Sequence, residues 1–393
     1  MSKRFIITLV SLIVIGLGAA LAVFFAKGYT FSPQKGGIVG TGIITVSSVP
    51  EGALVYIDEH LTTATDTTLS QLTPGSYKIK LVKEGFIPWE KQVEVKMGLV
   101  SEIKATLFPA LPTIYPLTYN GVVNPVLSPD GQKLAFAVPM TPDPQARQKG
   151  GVWVWTMTSA PISFSRSAEP HQIVVSSTGL DFTNADFRWS PDSKSLLVSI
   201  EEGKKEGAAF ERNYLLSSDR LTDAGDLRDI TPLLDQTTRG WEEDQKIKEE
   251  ARILAIEDLK VRQIASTSAF TGKLSSTKEG KNGGFLRWSP DETKLLIKDG
   301  QDYKVYDLAE KKEYLLPKAL SYSWLPESRH LVMVEEGKVS VAEFDGSNVA
   351  VIYAGRFEQG AVFSWPDSSR LVLLTSFNTP TASVPNLFGI NLK

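Results

Sequence analysis

The chain has 393 residues, 42% of them hydrophobic and 22% charged, which excludes a disordered chain, a collagen-like repeat and a multi-span transporter. Its 42 basic and 45 acidic residues give a net charge of −3 and a pI near 5.8, without the basic footprint of a nucleic-acid binder. There is no cysteine, so disulfides, thiolate metal sites and cysteine nucleophiles are excluded together.

The first informative stretch is Phe5 to Phe25, which carries no charged residue. At about 1.5 Å per residue such a helix spans roughly 30 Å, the thickness of a bilayer core. Lys3 and Arg4 precede it and Lys27 follows it, so the positive-inside rule favours a cytoplasmic N-terminus and an extracytoplasmic bulk. The rival reading is a cleaved signal peptide with Ala20-Leu21-Ala22 as its small-residue site. Val23 to Ala26 continues apolar beyond that site and favours an uncleaved anchor over residues 1–27. Residues 28–42 are rich in Gly, Ser, Pro and Lys and read as a flexible stalk holding the next domain off the membrane.

From Ile43 to Leu107 the pattern has period two. Tyr77, Ile79 and Leu81 alternate with lysines, and Val93 and Val95 with polar residues. Turn signals at Pro50-Glu51-Gly52, Pro74-Gly75 and Glu84-Gly85 divide about five short strands, which predicts a small antiparallel sandwich. Val49-Pro50-Glu51-Gly52-Ala53, then Val55-Tyr56-Ile57-Asp58, Leu72-Thr73-Pro74-Gly75-Ser76-Tyr77 and Lys83-Glu84-Gly85-Phe86 follow in order. Over residues 43–108 this resembles the PEGA domain, with its motif at Pro50, Glu51, Gly52 and Ala53. The resemblance implies a β-sandwich that serves as spacer or interaction module, with no catalytic residues. Two turns depart from it: Glu59 stands where the family has Gly, and Thr67-Thr68 where it has Thr-Pro. The following Phe108-Pro109-Ala110-Leu111-Pro112 is predicted to be an extended junction that adds little to either neighbouring core.

Beyond it a motif recurs five times. Ser128-Pro129-Asp130-Gly131, Trp189-Ser190-Pro191-Asp192, Trp288-Ser289-Pro290-Asp291, Trp324-Leu325-Pro326-Glu327 and Ser364-Trp365-Pro366-Asp367 each have a Leu four residues after the acid. Ser first, Pro second and Gly fourth suit a type I turn, with the Trp ending one strand and the Leu-rich run forming the next. Asp345-Gly346 predicts a hairpin between Val341 and Val351. The acids are 62, 99, 36 and 40 residues apart, and the short intervals match one four-stranded propeller blade. Residues 112–393 thereby resemble the TolB-like, WD-repeat-like β-propellers. The long interval holds a helical insert at about 239–262, where Glu242 and Lys246, Asp244 and Lys248, and Asp258 and Arg262 are helix-spaced opposite charges. The expected architecture is mostly β: anchor, sandwich, then a propeller of six blades, with five or seven open, bearing one surface helix. Met140 to Gly150 and Ser159 to Ser167 read as polar excursions.

No nucleophile elbow, phosphate-cradling Gly-rich loop or paired histidine at metal spacing occurs. His60, His171 and His330 lie far apart in sequence and read as structural or solvated. Asp181, Asn184 and Asp186 lack calcium-loop spacing. Asp219, Asp223, Asp226 and Asp229 read as a solvated loop. The recurring Asp130, Asp192, Asp291 and Asp367 could suggest glycoside carboxylates, but recurrence at one turn position assigns them to the turn. The repeated tryptophans read as core. The expectation is therefore a protein without catalytic, cofactor or metal site. It would be membrane-anchored and extracytoplasmic, and would bind an envelope protein or cell-wall polysaccharide and no nucleic acid. The alternative is a glycan-active hydrolase or lyase using the propeller channel.

Overall fold

The computed structural model describes residues 3–26, 29–32, 37–141, 149–157, 169–205, 208–271, 285–376 and 384–393. The expected excursions at 140–150 and 159–167 fall largely or wholly outside them. The chain divides into two compact units, Met1–Leu111 and Pro112–Leu392.

The first unit begins with helix α1, Lys3–Ala26. Among the described residues no helix is long and apolar enough to cross a membrane. The side chains of α1 are described from Leu9 to Val23, and its large apolar residues there, Leu12 and Ile15 among them, are exposed on every side. Residues 28–42 are not simply a stalk. Strands Tyr29–Ser32 and Gly37–Gly40 pair as a hairpin, with Tyr29 opposite Gly40. Its composition suggested flexibility, yet backbone pairing needs no apolar side chain, which is why the pattern missed it.

The sandwich that follows has two sheets. One orders Thr67–Leu72, Gly42–Val49 and Val100–Thr106, and the other His60–Ala64, Leu54–Ile57, Gly75–Val82 and Trp89–Val95. The predicted alternation holds: Ile44, Val46, Val55, Ile79, Leu81, Trp89, Val95 and Ile103 form the core between the sheets. The sheets are not wholly antiparallel, however. Gly42–Val49 runs parallel to Val100–Thr106 from Ile43↔Val100 to Val49↔Thr106. The junction also departs from expectation. Leu107 and Phe108 are 1% and 5% exposed. Phe108 O accepts from Ile87 N, and Ala110 N donates to Gly85 O. The stretch therefore closes the sandwich, and the chain leaves it only at Leu111.

The second unit contains five sheets among the described residues, not the six blades favoured from the repeat. The first has strands Val123–Leu127, Lys133–Val138, Gly151–Thr156 and His171–Val175, and the second has three, Asp186–Trp189, Ser195–Lys205 and Ala208–Ser217. The third comprises Phe285–Trp288, Lys294–Asp299, Asp302–Asp307 and Lys312–Leu315, and the fourth Ser321–Trp324, His330–Glu335, Lys338–Glu343 and Ala350–Ala354. The fifth orders Val362–Ser364, Arg370–Thr375 and Asn386–Asn391, and takes its last strand, Ile114–Pro116, from the start of the unit. Between the second and third sheets stand two helices, α2 (Leu234–Leu254) and α3 (Leu259–Thr271), where the sequence suggested one. Asp258 divides them, because its carboxylate caps α3 by accepting from Lys260 N and Val261 N at 2.9 and 3.2 Å. Arg262 turns back to Ile256 O instead of pairing with Asp258 along the helix.

Apolar clusters join neighbouring sheets. Val152, Val154 and Ile173 of the first pack with Trp189, Leu196 and Val198 of the second. Leu296 and Val305 of the third pack with Tyr322, Trp324 and Leu331 of the fourth. Phe363, Val372 and Leu387 of the fifth pack with Phe136, Val138 and Trp155 of the first. Ile253, Ile256, Val261 and Ala265 of the helices pack on Leu295 and Ile297 of the third.

Candidate functional site

The five repeated turns share one geometry, set by the residues singled out from the sequence. In the first, Gly131 N donates to Ser128 O, which closes the turn. The Ser128 hydroxyl donates to Asp130 Oδ1 at 2.6 Å and accepts from Lys133 N at 2.8 Å, and Gln132 N donates to Asp130. Pro129 fits the second position, which needs its fixed φ and no N–H. Ser190-Pro191-Asp192 and Ser289-Pro290-Asp291 repeat these bonds. Leu325-Pro326-Glu327 lacks the serine. There Glu327 Oε1 accepts from His330 N at 3.1 Å and its ring Nδ1 lies at 2.7 Å. In the last copy Trp365 occupies the serine position, not the strand-end position of Trp189, Trp288 and Trp324, and Ser369 N donates to Asp367.

The fourth residue of every copy is left-handed: Gly131 at φ 70°, Ser193 at 59°, Glu292 at 58°, Ser328 at 65° and Ser368 at 57°. Where that residue is serine it is buried and ties its turn to the one before. Ser193 Oγ accepts from Asp130 N, Ser328 Oγ from Asp291 N and Ser368 Oγ from Glu327 N, at 3.3, 2.9 and 3.2 Å. The two copies without serine fall at Gly131, where an added Cβ would meet nothing within 4 Å, and at Glu292, which pairs with Arg252 of α2 at 2.8 Å. The tryptophans follow the same rule. Trp189 Nε1 donates to Val126 O of the first sheet and Trp324 Nε1 to Arg287 O of the third. Trp288 instead turns to a helix, its Nε1 donating to Glu249 Oε1 of α2 at 2.8 Å. It is accordingly only partly buried, at the helix surface, while Trp189, Trp324 and Trp365 are buried. Trp365 Nε1 has no partner; its ring meets Trp155 edge-on at 5.4 Å.

The turn carboxylates are thus committed to their own backbone. The Ser190 hydroxyl and Lys194 N–H hold Asp192 below the ordinary aspartate range. Burial works to raise Asp291, but Ser289 and Thr293 outweigh it and its pKa is also lowered. Neither is poised to deliver a proton near neutrality. The remaining candidates are also held. Asp181 accepts from Thr183 N and Oγ1, and Asp229 from Thr231 N. Asp219 pairs with Lys133 at 2.7 Å, so this part of the acidic run is tied to the first sheet and not simply solvated. His171 Nε2 lies 2.9 Å from Ser218 O, and His60 is exposed in the sandwich. Among the described residues no three His, Asp or Glu gather at metal-binding distance. The described first strands of the five sheets carry one acid, Asp186, beside Arg188 and Arg287. Arg188 is engaged by Glu242 of α2 at 3.2 Å.

In the sandwich the PEGA tetrapeptide makes a corner. Gly52 is left-handed at φ 74°, and the N–H of the buried Ala53 donates to Thr65 Oγ1 at 3.0 Å. Pro50 O accepts from Ser48 Oγ and the exposed Glu51 from Lys83 Nζ through its backbone O. Asp58 and Glu59 are both left-handed, so the position where the family has Gly keeps the conformation that favours it.

The end of the sheets opposite the turns is different. There lie residues 139–141 and 149–150, the link 176–185, the paired strands Ser195–Lys205 and Ala208–Ser217, and a cleft of about 570 Å³. The Glu336-Gly337 turn, residues 355–358, and Thr375 and Ser376 line the cleft. Its floor is fixed: Arg356 O accepts from Thr375 Oγ1 at 2.6 Å and from the Tyr353 hydroxyl at 3.0 Å, and Phe357 meets Tyr353 edge-on at 5.9 Å. The Arg356 guanidinium makes no ion pair among the described residues. Nothing in the repeat signalled this cleft, because its residues belong to non-repeating links.

The family model of the PEGA domain matches residues 41–110. No curated protein matches the sequence. Among solved structures the chain is similar to a protein described as TolB from Agrobacterium tumefaciens, at 14% identity and TM-score 0.22 over 67% of this chain and 76% of that one. It is similar to TolB from Acinetobacter baumannii at 12% identity and TM-score 0.25, over 80% of this chain and 59% of that one. It is also similar to an oligogalacturonate lyase from Vibrio parahaemolyticus at 7% identity and TM-score 0.31, over 92% and 96%. At such TM-scores these likenesses decide neither fold nor activity.

Proposed function

We propose that this chain, with its PEGA domain at residues 41–110, is a membrane-anchored, extracytoplasmic, non-catalytic binding or scaffold protein of the bacterial cell envelope. In this reading α1 is the anchor. The uncharged run Phe5 to Phe25 supports it, as do the apolar side chains of α1, which the protein leaves uncovered. The second unit is a propeller-like ring of five sheets in which α2 and α3 take the place of a further blade. The ties from sheet to sheet, from the second sheet to α2 through Arg188 and Glu242, and from α2 to the third through Trp288 and Glu249 support that closure.

The observation that carries the binding role is the contrast between the two ends of the sheets. The turn end uses its polar groups on itself, whereas the opposite end holds the link 176–185 and the cleft with Arg356, which makes no ion pair among the described residues. That end would receive an envelope protein or a wall polysaccharide. The experiment is proximity labelling from the exported region in cells, repeated with Arg356→Glu. Enrichment of one envelope component that drops several-fold in the variant supports the reading. Unchanged enrichment removes the cleft from it, and turnover of a glycan by the purified chain would make it an enzyme.

A further inference from the structure

We infer that the turn Lys96–Leu99, with Val100, is a lipid-contacting loop that seats the PEGA domain on the bilayer surface beside the anchor. The inference rests on the reading of α1 as a membrane anchor.

The turn is closed by Leu99 N donating to Lys96 O at 3.2 Å, with Gly98 left-handed at φ 72°. Turn tips favour Gly, Asn, Asp and Ser. This one instead presents Met97, Leu99 and Val100 at 59%, 57% and 59% exposure, next to the exposed Lys96. Met97 rests partly against the Gly40 backbone, yet all three apolar side chains stay more than half exposed. Clustered exposed apolar residues mark a contact surface.

The backbone says which surface. The turn lies at the end of the sandwich where the chain enters. Gly98 N donates to Thr41 O and Ile43 N to Leu99 O, at 2.9 and 3.1 Å. A Cβ on Gly40 would collide with the Met97 side chain, so Gly40 lies against the turn. The hairpin then brings Gly40 back opposite Tyr29, across about 5 Å. Tyr29 is three residues beyond Ala26, the last residue of α1, a reach of about 11 Å at most. The fifteen residues that composition reads as a spacer therefore hold Gly40 within roughly 16 Å of the helix end, and the Met97 side chain lies directly against Gly40. The headgroup region beside the hydrocarbon is itself about 5–8 Å deep. A basic residue flanking a small apolar tip suits that layer, where the apolar groups dip and the ammonium stays with phosphate. The PEGA corner lies at the other end of strand Gly42–Val49, about 25 Å away, and gives an internal reference.

The chain has no cysteine, so single cysteines can be placed without background. Full-length Leu99→Cys, Met97→Cys and Glu51→Cys are labelled with a nitroxide and reconstituted into phosphatidylcholine–phosphatidylglycerol vesicles. Flotation is measured first, then accessibility to oxygen and to an aqueous nickel chelate. The expected result is flotation of all three, with oxygen favoured over nickel at 97 and 99 and the reverse at 51. Flotation with equal nickel access at all three positions overturns the loop and leaves the anchor standing. Labels at 97 and 99 shielded from both reagents would mean that protein covers the tip, and overturn it as well. Failure to float overturns anchor and loop together.

Discussion

Ser328→Ala tests whether the serine ties hold the sheets to one another. Ser328 is 2% exposed, left-handed at φ 65°, and its hydroxyl accepts from Asp291 N at 2.9 Å across 37 residues. Alanine keeps the backbone conformation unfavourable and removes the acceptor. The net loss of one hydrogen bond is about 1 kcal/mol, rising towards about 3 if the Asp291 N–H is left without water. We expect a loss of about 1–2 kcal/mol. In a unit of this size that lowers Tm by about 2–4 °C per kcal/mol. The assay is urea unfolding of residues 28–393, with Ser177→Ala as control at an exposed serine. Glu292→Gly occupies the same repeat position but has no tie to a neighbouring turn. Glycine there relieves the left-handed backbone, worth up to about 1 kcal/mol, and loses an exposed ion pair with Arg252 worth about 0–1. It should be neutral or stabilising. If Ser328→Ala unfolds at the same urea concentration as Ser177→Ala, the ties carry no stability and the reasoning fails.

Trp189→Phe should cost more than Trp365→Phe, because only Trp189 Nε1 has a partner, Val126 O; equal shifts in the unfolding midpoint would contradict this. Trp288→Ala should destabilise more than Asp291→Asn, by about 3 kcal/mol against about 1, toward the low end for an aromatic because Trp288 is only partly buried. Asp192 and Asp291 have lowered pKa values in the fold, so their contribution is complete above the unfolded value near pH 4 and is lost as pH falls through the folded value. Asp192→Asn should therefore flatten the fall in stability below about pH 4, read by chemical unfolding across pH. Residues 28–111 and 112–393 should each fold alone, and residues 28–393 should show two thermal transitions that match the fragments. Aggregation of the larger piece in the absence of the smaller would refute the division.

The sequence by itself determined what depends on neighbours along the chain. The Ser-Pro-acid turns were legible because their bonds run from one residue to another two to five positions away, as from Ser128 to Asp130 and Lys133. The sandwich core was legible because strand period two separates Ile79 and Leu81 from Lys78 and Lys80. What joins distant segments was decided only by the tertiary structure. The parallel pairing of Ile43 with Val100, the link from Asp130 to Ser193 and the dock of Trp288 on Glu249 connect positions whose spacing encodes nothing. The same holds for the long interval of the repeat, where only the fold shows Ile253 and Val261 of the two helices packed against Leu295 of the third sheet. Likewise, the cleft at Arg356 and the tip at Met97 and Leu99 lie in links that follow no period, so only folding shows which of their side chains remain exposed.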